Sequence, residues 1–369
     1  MSEHNLKSVC AAFAIDGDFV GAIPFGTGHI NDTYLVDVGN TSGPTKFTFQ
    51  RINHNVFRNV AGLMDNFRRV TDHLRDKLAA MPGRDPNRET LCLVRTHDGA
   101  PFHVDEDGGH WRAYVFVAQA STYDEVRNGA HAFEAARTFA EFQKLLMDLP
   151  GPSLVETIPD FHHTPSRFEK LEAAIKADSA KRASRAQPEI EFALARGAST
   201  ATVVDMLASG ELPWRVTHND TKINNVLIND ADDRGLCVID LDTVMPGSII
   251  YDFGDQVRTT TGTAAEDEED LSKVNFQIDM FEQLVNGYLS VGREFLTANE
   301  ISLLAFAGRL ITFEIGIRFL TDYLEGDVYF KVHKNDHNLI RARTQFEMVR
   351  QMESHTERME AIVAAAAHA

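Results

Sequence analysis

Asp220, Lys222, Asn225 and Asp240 are the residues of this 369-residue chain whose types and spacing can do chemistry. They stand in His218-Asn219-Asp220-Thr221-Lys222-Ile223-Asn224-Asn225 and, past an apolar run, in Val238-Ile239-Asp240-Leu241-Asp242. In this order they supply the parts of a phosphotransfer centre: a base at Asp220, a phosphate-facing cation at Lys222, and hard oxygen ligands for Mg²⁺ at Asn225 and Asp240. The spacing His-x-Asp-x-Lys-x-x-Asn repeats the His, Asp and Asn positions of the kinase loop His-Arg-Asp-Leu-x-x-x-Asn. Asp220 alone reads as a turn residue or cap; the spacing is what turns the reading toward catalysis. There it orients a substrate hydroxyl and accepts its proton late, while positioning supplies about 7 to 11 kcal/mol of the barrier. Asp242 falls on the same side as Asp240 if a strand continues through both, and then either holds a second Mg²⁺ or orients Asp240. His218 reads as a brace for the loop backbone.

Such a loop needs elements to hold it. Asp220 precedes Val226-Leu227-Ile228, an apolar run expected to form a strand, so a loop at a strand edge presents the carboxylate. Upstream, β-type runs at 21–25, 33–38 and 46–51 are separated by turn-rich segments, which predicts an antiparallel meander. Val60, Leu63, Phe67, Val70, Leu74 and Leu78, three or four apart, predict one helix packed on that sheet. Strands are expected at 91–95 and 111–117. Beyond, helical periods recur at 132–147, 165–177, 189–208, 276–289 and 301–324. The expectation is therefore α+β and bilobal, with a small antiparallel-sheet lobe over 1–118 and a larger, mainly helical lobe over 119–369.

Composition bounds the class. Hydrophobic residues make up 43% and charged residues 24%, and no apolar run approaches the roughly 18 residues that a membrane helix requires. A formal net charge of −18 opposes a polyanionic partner, so nucleic acid is excluded as the main ligand. The first residues carry no basic and apolar leader pattern, and Cys10, Cys92 and Cys237 are scattered, which reads as a cytoplasmic chain with reduced thiols. The acidic run 266–270 reads as a solvated loop.

The catalytic and metal segments, together with Gly28-His29-Ile30-Asn31-Asp32-Thr33-Tyr34 and Gly316-Ile317-Arg318-Phe319-Leu320-Thr321-Asp322-Tyr323-Leu324, resemble the aminoglycoside phosphotransferase superfamily over residues 20 to 350. The last two segments resemble its branch of N-acetylhexosamine kinases. The resemblance implies a kinase-like fold and transfer from ATP, with Mg²⁺, to the anomeric hydroxyl of an N-acetylhexosamine (GlcNAc or GalNAc). It implies adenine between the lobes near Tyr114 and Phe116, with Gly26 and Gly28 over the phosphates. It also implies sugar contacts from Arg318 and Tyr323. His29 and Asp32 follow the glycine turn and can reach sugar hydroxyls, although Asp32 serves equally as a turn cap.

Glu314, Arg318 and Asp322 are four apart and share a helical face, as either an exposed salt-bridge ladder or the wall of an acceptor pocket that Tyr329 also approaches. One part departs from the protein-kinase pattern. The third strand, Phe47-Thr48-Phe49-Gln50-Arg51, has no lysine; Arg51 replaces it if the register allows, but its alternation with Phe47 and Phe49 can turn it to the core instead. Three rivals share parts of this reading. Homoserine or choline can be the acceptor on the same fold. Asp240-Leu241-Asp242 can be a glycosyltransferase metal clamp, but that leaves Asp220 and Asn225 unexplained. A pseudokinase would bind nucleotide without turnover.

Overall fold

The computed structural model describes residues 4–26, 28, 30–39, 43 and 45–369. It divides into two compact units, Met1–Ser121 with Leu145–Pro159 and Leu227–Pro246, and Thr122–Lys144 with Asp160–Val226 and Gly247–Ala369. An antiparallel sheet in the N-terminal region and a helical C-terminal part make up the expected α+β architecture.

In the first unit, helix α1 (Leu6–Cys10) precedes strands β1 (Asp18–Pro24), β2 (Asp32–Gly39) and β3 (Lys46–Ile52), which form the meander. Helix α2 (Val60–Ala79) follows, then β4 (Leu93–Val94), β5 (His103–Val104), β6 (His110–Val115) and β7 (Ala120–Ser121). The sheet order is β1-β2-β3-β6-β4, with β5 also on β6, and these pairs are antiparallel. Because side chains alternate across a strand, the sheet has two distinct faces. Val36, Val38, Phe47, Phe49 and Trp111 join Val9, Cys10 and Phe13 in one apolar cluster. Thr33, Gln50 and Arg112 point the other way. In register, Gln50 opposes Arg112 and Arg51 opposes Trp111.

Helix α2 buries the six apolar positions that its spacing predicts, and the Asn59 side chain caps it by accepting from Gly62 N. Two buried polar residues, Asn66 and Thr71, interrupt that stripe. Asn66 donates to the carbonyls of Val155 (2.7 Å) and Val244 (3.1 Å) and accepts from Val155 N (3.0 Å). A single amide thus ties two segments far along the chain to α2, satisfying backbone groups that burial would otherwise orphan.

In the second unit, α3 (Gly129–Leu145), α4 (Thr164–Ala177), α5 (Gln187–Leu194) and α6 (Thr202–Ser209) precede the catalytic stretch. After it come α7 (Ile249–Thr260), α8 (Ile278–Gly292), α9 (Ala298–Ser302), α10 (Leu304–Glu325), α11 (His337–Ser354) and α12 (Thr356–His368). Helix α10 packs against α4, α7 and α11, and a helix covered on several sides needs no polar face. At its crossing with α7, a Cβ on Gly254 would sit 2.5 Å from the Ala307 carbonyl oxygen, so only glycine lets the two backbones approach.

Two expected helices are each broken. The 189–208 helix is split by a 3-10 turn at Gly197–Ala201, where a Cβ on Gly197 would meet the Phe168 ring at 2.5 Å. The 301–324 helix is preceded by α9, which starts earlier on a Thr297/Glu300 capping box and ends at Leu303. Helix α7 was not anticipated: Ile249-Ile250-Tyr251-Asp252-Phe253 is a short apolar run with one carboxylate, buried throughout. No helix among the described residues is long and apolar enough to cross a membrane.

Candidate active site

The catalytic stretch lies in the second unit, entered from the strand Arg215–Thr217 and left through a 3-10 turn, Ile223–Asn225. Asn219 adopts φ 65°, a left-handed conformation that asparagine tolerates better than most residues. The fully buried Asp252 of α7 holds the loop from beneath. Its carboxylate accepts Asn219 N (2.6 Å), His218 N (2.9 Å) and Gln143 Nε2 (2.6 Å), and its carbonyl accepts the Thr221 hydroxyl. Burial pushes the Asp252 carboxyl above its ordinary pKa. His218 is buried edge-on to Phe139 and Phe142, with ring centroids 5.4 and 6.0 Å away, as a brace would be.

Lys222 Nζ lies 2.8 Å from Asp220 Oδ1. Asn225 Nδ2 donates to the Asp220 carbonyl (2.8 Å) and to its Oδ2 (3.1 Å). The structure therefore brings together the three residues that the sequence singled out within this stretch. Burial alone would raise the Asp220 pKa, but Lys222, His218 and Arg258 together hold the carboxyl below its ordinary value. With its amide nitrogen turned to Asp220, Asn225 keeps its oxygen, the metal-ligating type of atom, on the other side.

A second polar cluster adjoins this loop. His162, just ahead of α4, places Nε2 3.1 Å from the Asn219 carbonyl oxygen and Nδ1 2.9 Å from Glu314 Oε1. Thr164 Oγ1 donates to Glu314 Oε2 at 2.5 Å, and Tyr251 stacks on the imidazole at 5.1 Å. The exposed ladder that the four-residue spacing allowed is absent here, because Glu314 is fully buried.

One turn along α10, Arg318 lines a cavity of about 220 Å³ with Arg167, Lys170, Glu325, Tyr329 and Phe330 among its neighbours. Its guanidinium carbon lies 6.0 Å from the Tyr329 ring centroid and 5.6 Å from that of Phe330, and burial lowers its pKa. Asp322, one turn further on the same face, shapes the wall by accepting the backbone N–H groups of Val328 (2.8 Å), Tyr329 (2.8 Å) and Phe330 (2.9 Å). Tyr323 is not part of this wall. Five residues from Arg318, it lies about 140° around the helix, and it is buried in the core with Arg182 4.8 Å over its ring. Tyr329 is the tyrosine beside Arg318.

Asp240 and Asp242 belong to the first unit. The strand expected to carry both stops at Val238; Asp240 takes φ 58° and Leu241–Thr243 make a 3-10 turn, so the two carboxylates do not share a strand face. Asp240 is exposed. Asp242 is buried, with Oδ1 accepting from Arg112 Nη1 and Oδ2 from Asn31 Nδ2 (2.6 Å). Both its oxygens are engaged, which suits it to orienting its neighbours better than to ligating a metal.

Arg112 supplies the sheet's buried cation. Its Nε and Nη2 donate to Gln50 Oε1 at 2.9 and 2.6 Å, and its guanidinium lies 4.8 Å from the Phe67 ring centroid. Burial would lower its pKa, but Asp242 reverses the direction. Arg51 cannot fill this place, since the pleat turns it to the face of Phe47 and Phe49, where it stands 3.9 Å from Asp32. Asp32 is exposed on that same face and also meets His4 at 3.8 Å. Gly26 takes φ 80° just after Phe25, whose ring lies edge-on to Phe116 at 5.6 Å. Gly28 has open space around its Cα, and Tyr114 lies tilted against Phe67 at 6.2 Å. His29 lies outside the described residues.

Sequence reasoning missed Arg112, Asp252 and His162, and it placed Glu314 on a helical face with Arg318 without its buried partner. The only signal for Asp252 was a carboxylate in an otherwise apolar run; Arg112 could be inferred once strand register was known.

An antiparallel sheet with one long helix, followed by a helical part that carries His-x-Asp-x4-Asn, defines a kinase-like phosphotransferase. Residues 21–282 match the phosphotransferase enzyme family (APH), and the chain belongs to it. Among solved structures, it is similar to an aminoglycoside phosphotransferase from Alicyclobacillus acidocaldarius (TM-score 0.61, 11% identity, 99% of this chain and 98% of that one). It is also similar to the microcompartment-associated aminopropanol kinase (TM-score 0.59, 16%, 96% and 98%). A third is spectinomycin phosphotransferase in complex with ADP and spectinomycin (TM-score 0.53, 13%, 96% and 98%). At these identities the likeness is one of fold.

Proposed function

We propose that this phosphotransferase is an N-acetylhexosamine 1-kinase, moving the γ-phosphoryl group of ATP to the anomeric hydroxyl of GlcNAc or GalNAc. The observation that carries the choice of acceptor is the lining of the α10 cavity. Arg167, Lys170 and Arg318 line a space of about 220 Å³ with one further carboxylate, Glu325, while the Asp322 carboxylate is committed to three backbone N–H groups. With three cations against the Glu325 carboxylate, such a wall favours a neutral, hydroxyl- and amide-bearing ring over the ammonium group of choline or another amino alcohol. The likeness to an aminopropanol kinase keeps an amino alcohol as the alternative.

Asp220 would take the acceptor hydroxyl's hydrogen bond and accept its proton late in transfer, ionised because Lys222 lowers its pKa. Lys222 would balance charge at the departing phosphoryl group. Asn225 and Asp240 carry the oxygen types for Mg²⁺, which when bound neutralises the polyphosphate charge. The ring pair Phe25 and Phe116 offers an apolar surface for adenine in the first unit.

The test is ADP release from Mg-ATP with N-acetylglucosamine, N-acetylgalactosamine, galactose, homoserine and choline, with phosphorus NMR of the product. A sugar 1-phosphate is expected; turnover with choline or homoserine alone would replace the acceptor. Asp220→Asn should fold normally and lose activity by about 10²- to 10⁴-fold, and wild-type turnover in that variant would remove Asp220 from the mechanism.

A further inference from the structure

We propose that His162 is a positioning residue that acts as a doubly protonated wedge, clamping the carbonyl of Asn219, and hence the neighbouring Asp220, to Glu314 on the helix that lines the α10 cavity. The inference rests on Asp220 as the base.

The geometry carries it. Nδ1 faces a carboxylate oxygen at 2.9 Å and Nε2 faces a carbonyl oxygen at 3.1 Å. Neither oxygen can donate when the carboxylate is ionised, so both ring nitrogens must carry protons for both bonds to exist. The imidazolium is buried, and the other Glu314 oxygen is satisfied by Thr164. A buried charge pair of this kind persists only with its hydrogen bonds complete. The residue it grips is adjacent to the base and held in a left-handed conformation, which the structure must enforce from outside.

On the loop's other side, Asp252 grips the N–H groups of His218 and Asn219. The Asn219 residue is therefore held by its N–H from α7 and by its C=O from His162. Arg318 lies one turn past Glu314, so the same carboxylate that anchors the wedge also acts on the cavity arginine. This gives a path from acceptor pocket to base within one unit.

Among the described residues, Glu314 from α10 and Asp255 and Tyr251 from α7 are titratable groups beside the imidazole. Burial would lower the His162 pKa, but Glu314, with the Asn219 carbonyl and Asp255, raises it. Tyr251 remains a neutral phenol, because burial raises its own pKa. Because the folded-state pKa is raised, the clamp is complete below the ordinary histidine value of about 6.5 and is lost as pH rises through the raised value. Turnover should thus have an alkaline limb that belongs to His162.

The experiment uses the full chain. Histidine-selective ¹⁵N NMR of the wild-type protein should show a charged, slowly exchanging imidazolium at pH 7; if all the buried histidines are neutral there, the proposal is overturned without any variant. Turnover is then followed from pH 6 to 10 for wild type, His162→Gln and Glu314→Gln. The readout is ADP release from Mg-ATP, with whichever acceptor turns over or with water. His162→Gln should lower kcat by about ten- to a hundredfold, the scale of a small misplacement, leave the KM for ATP unchanged and abolish the alkaline limb. Wild-type kcat in His162→Gln, or an unchanged alkaline limb, would overturn the wedge. Asp220→Asn run alongside separates the two readings, since full turnover there removes the base while the NMR result still judges the charge state of His162.

Discussion

Each unit buries an ion pair near an aspartate that the sequence singled out, and the two pairs differ in what can switch them off. In the first, Arg112 and Asp242 meet beneath the sheet, two residues past Asp240. In the second, His162 and Glu314 meet beneath the loop of Asp220. A guanidinium stays charged at every relevant pH, whereas an imidazolium can lose its proton. Asp240 thus lies two residues from a carboxylate paired with a permanent cation, and Asp220 next to a residue gripped by a conditional one. A polyphosphate carries charge at all working pH values, so its surroundings need a constant field, while a loop that must align a hydroxyl depends on shape.

The most severe way to break this comparison is Arg112→Met. Leaving Asp242 buried without its partner should cost about 3 to 5 kcal/mol, read as a lower urea midpoint at pH 7, together with weakened ADP binding. The double variant Arg112→Met/Asp242→Leu should recover most of that stability but not the binding, which would show that the pair serves function more than folding. Next in size is Asp252→Ala, which strips the acceptor from two buried N–H groups at about 1 to 3 kcal/mol each. Thermal denaturation should report it, with kcat falling further than stability predicts.

Arg318→Ala is smaller. It should raise the acceptor KM by about ten- to a hundredfold, equivalent to roughly 1.4 to 2.7 kcal/mol, with little change in the KM for ATP. Tyr329→Ala should follow it, whereas Tyr323→Phe should not. The mildest test sharpens the contrast itself. Since the His162 pKa is raised and that of Glu314 lowered, urea stability of the second pair should fall as pH rises past neutrality. His162→Gln should flatten that slope, and Arg112→Met should leave it in place.

Much of the catalytic stretch was legible because it is contiguous. Asp220, Lys222 and Asn225 lie within six positions of one another, and a loop that short brings their side chains together with little help from the rest of the fold. The meander and α2 were legible for a similar reason, since period-2 and period-3.6 patterns act over near neighbours. The 189–208 and 301–324 helices misled because what breaks them lies elsewhere: a phenylalanine ring from α4 at Gly197, and a capping box that starts the second one early.

By itself the sequence determined the class of chemistry, phosphotransfer, through the contiguous order of a carboxylate, a lysine and an asparagine in His-x-Asp-x-Lys-x-x-Asn. Only the tertiary structure decided which arginine the sheet turns inward, which tyrosine meets Arg318, and that Asp252 and His162 grip the loop from two helices. Strand register chooses Arg112 over Arg51, and helical rotation sends Tyr323 to the core and leaves the wall to Tyr329. Those choices depend on pleat, rotation and burial among residues up to 152 positions apart, as in the His162–Glu314 pair. Spacing along the chain carries no record of them.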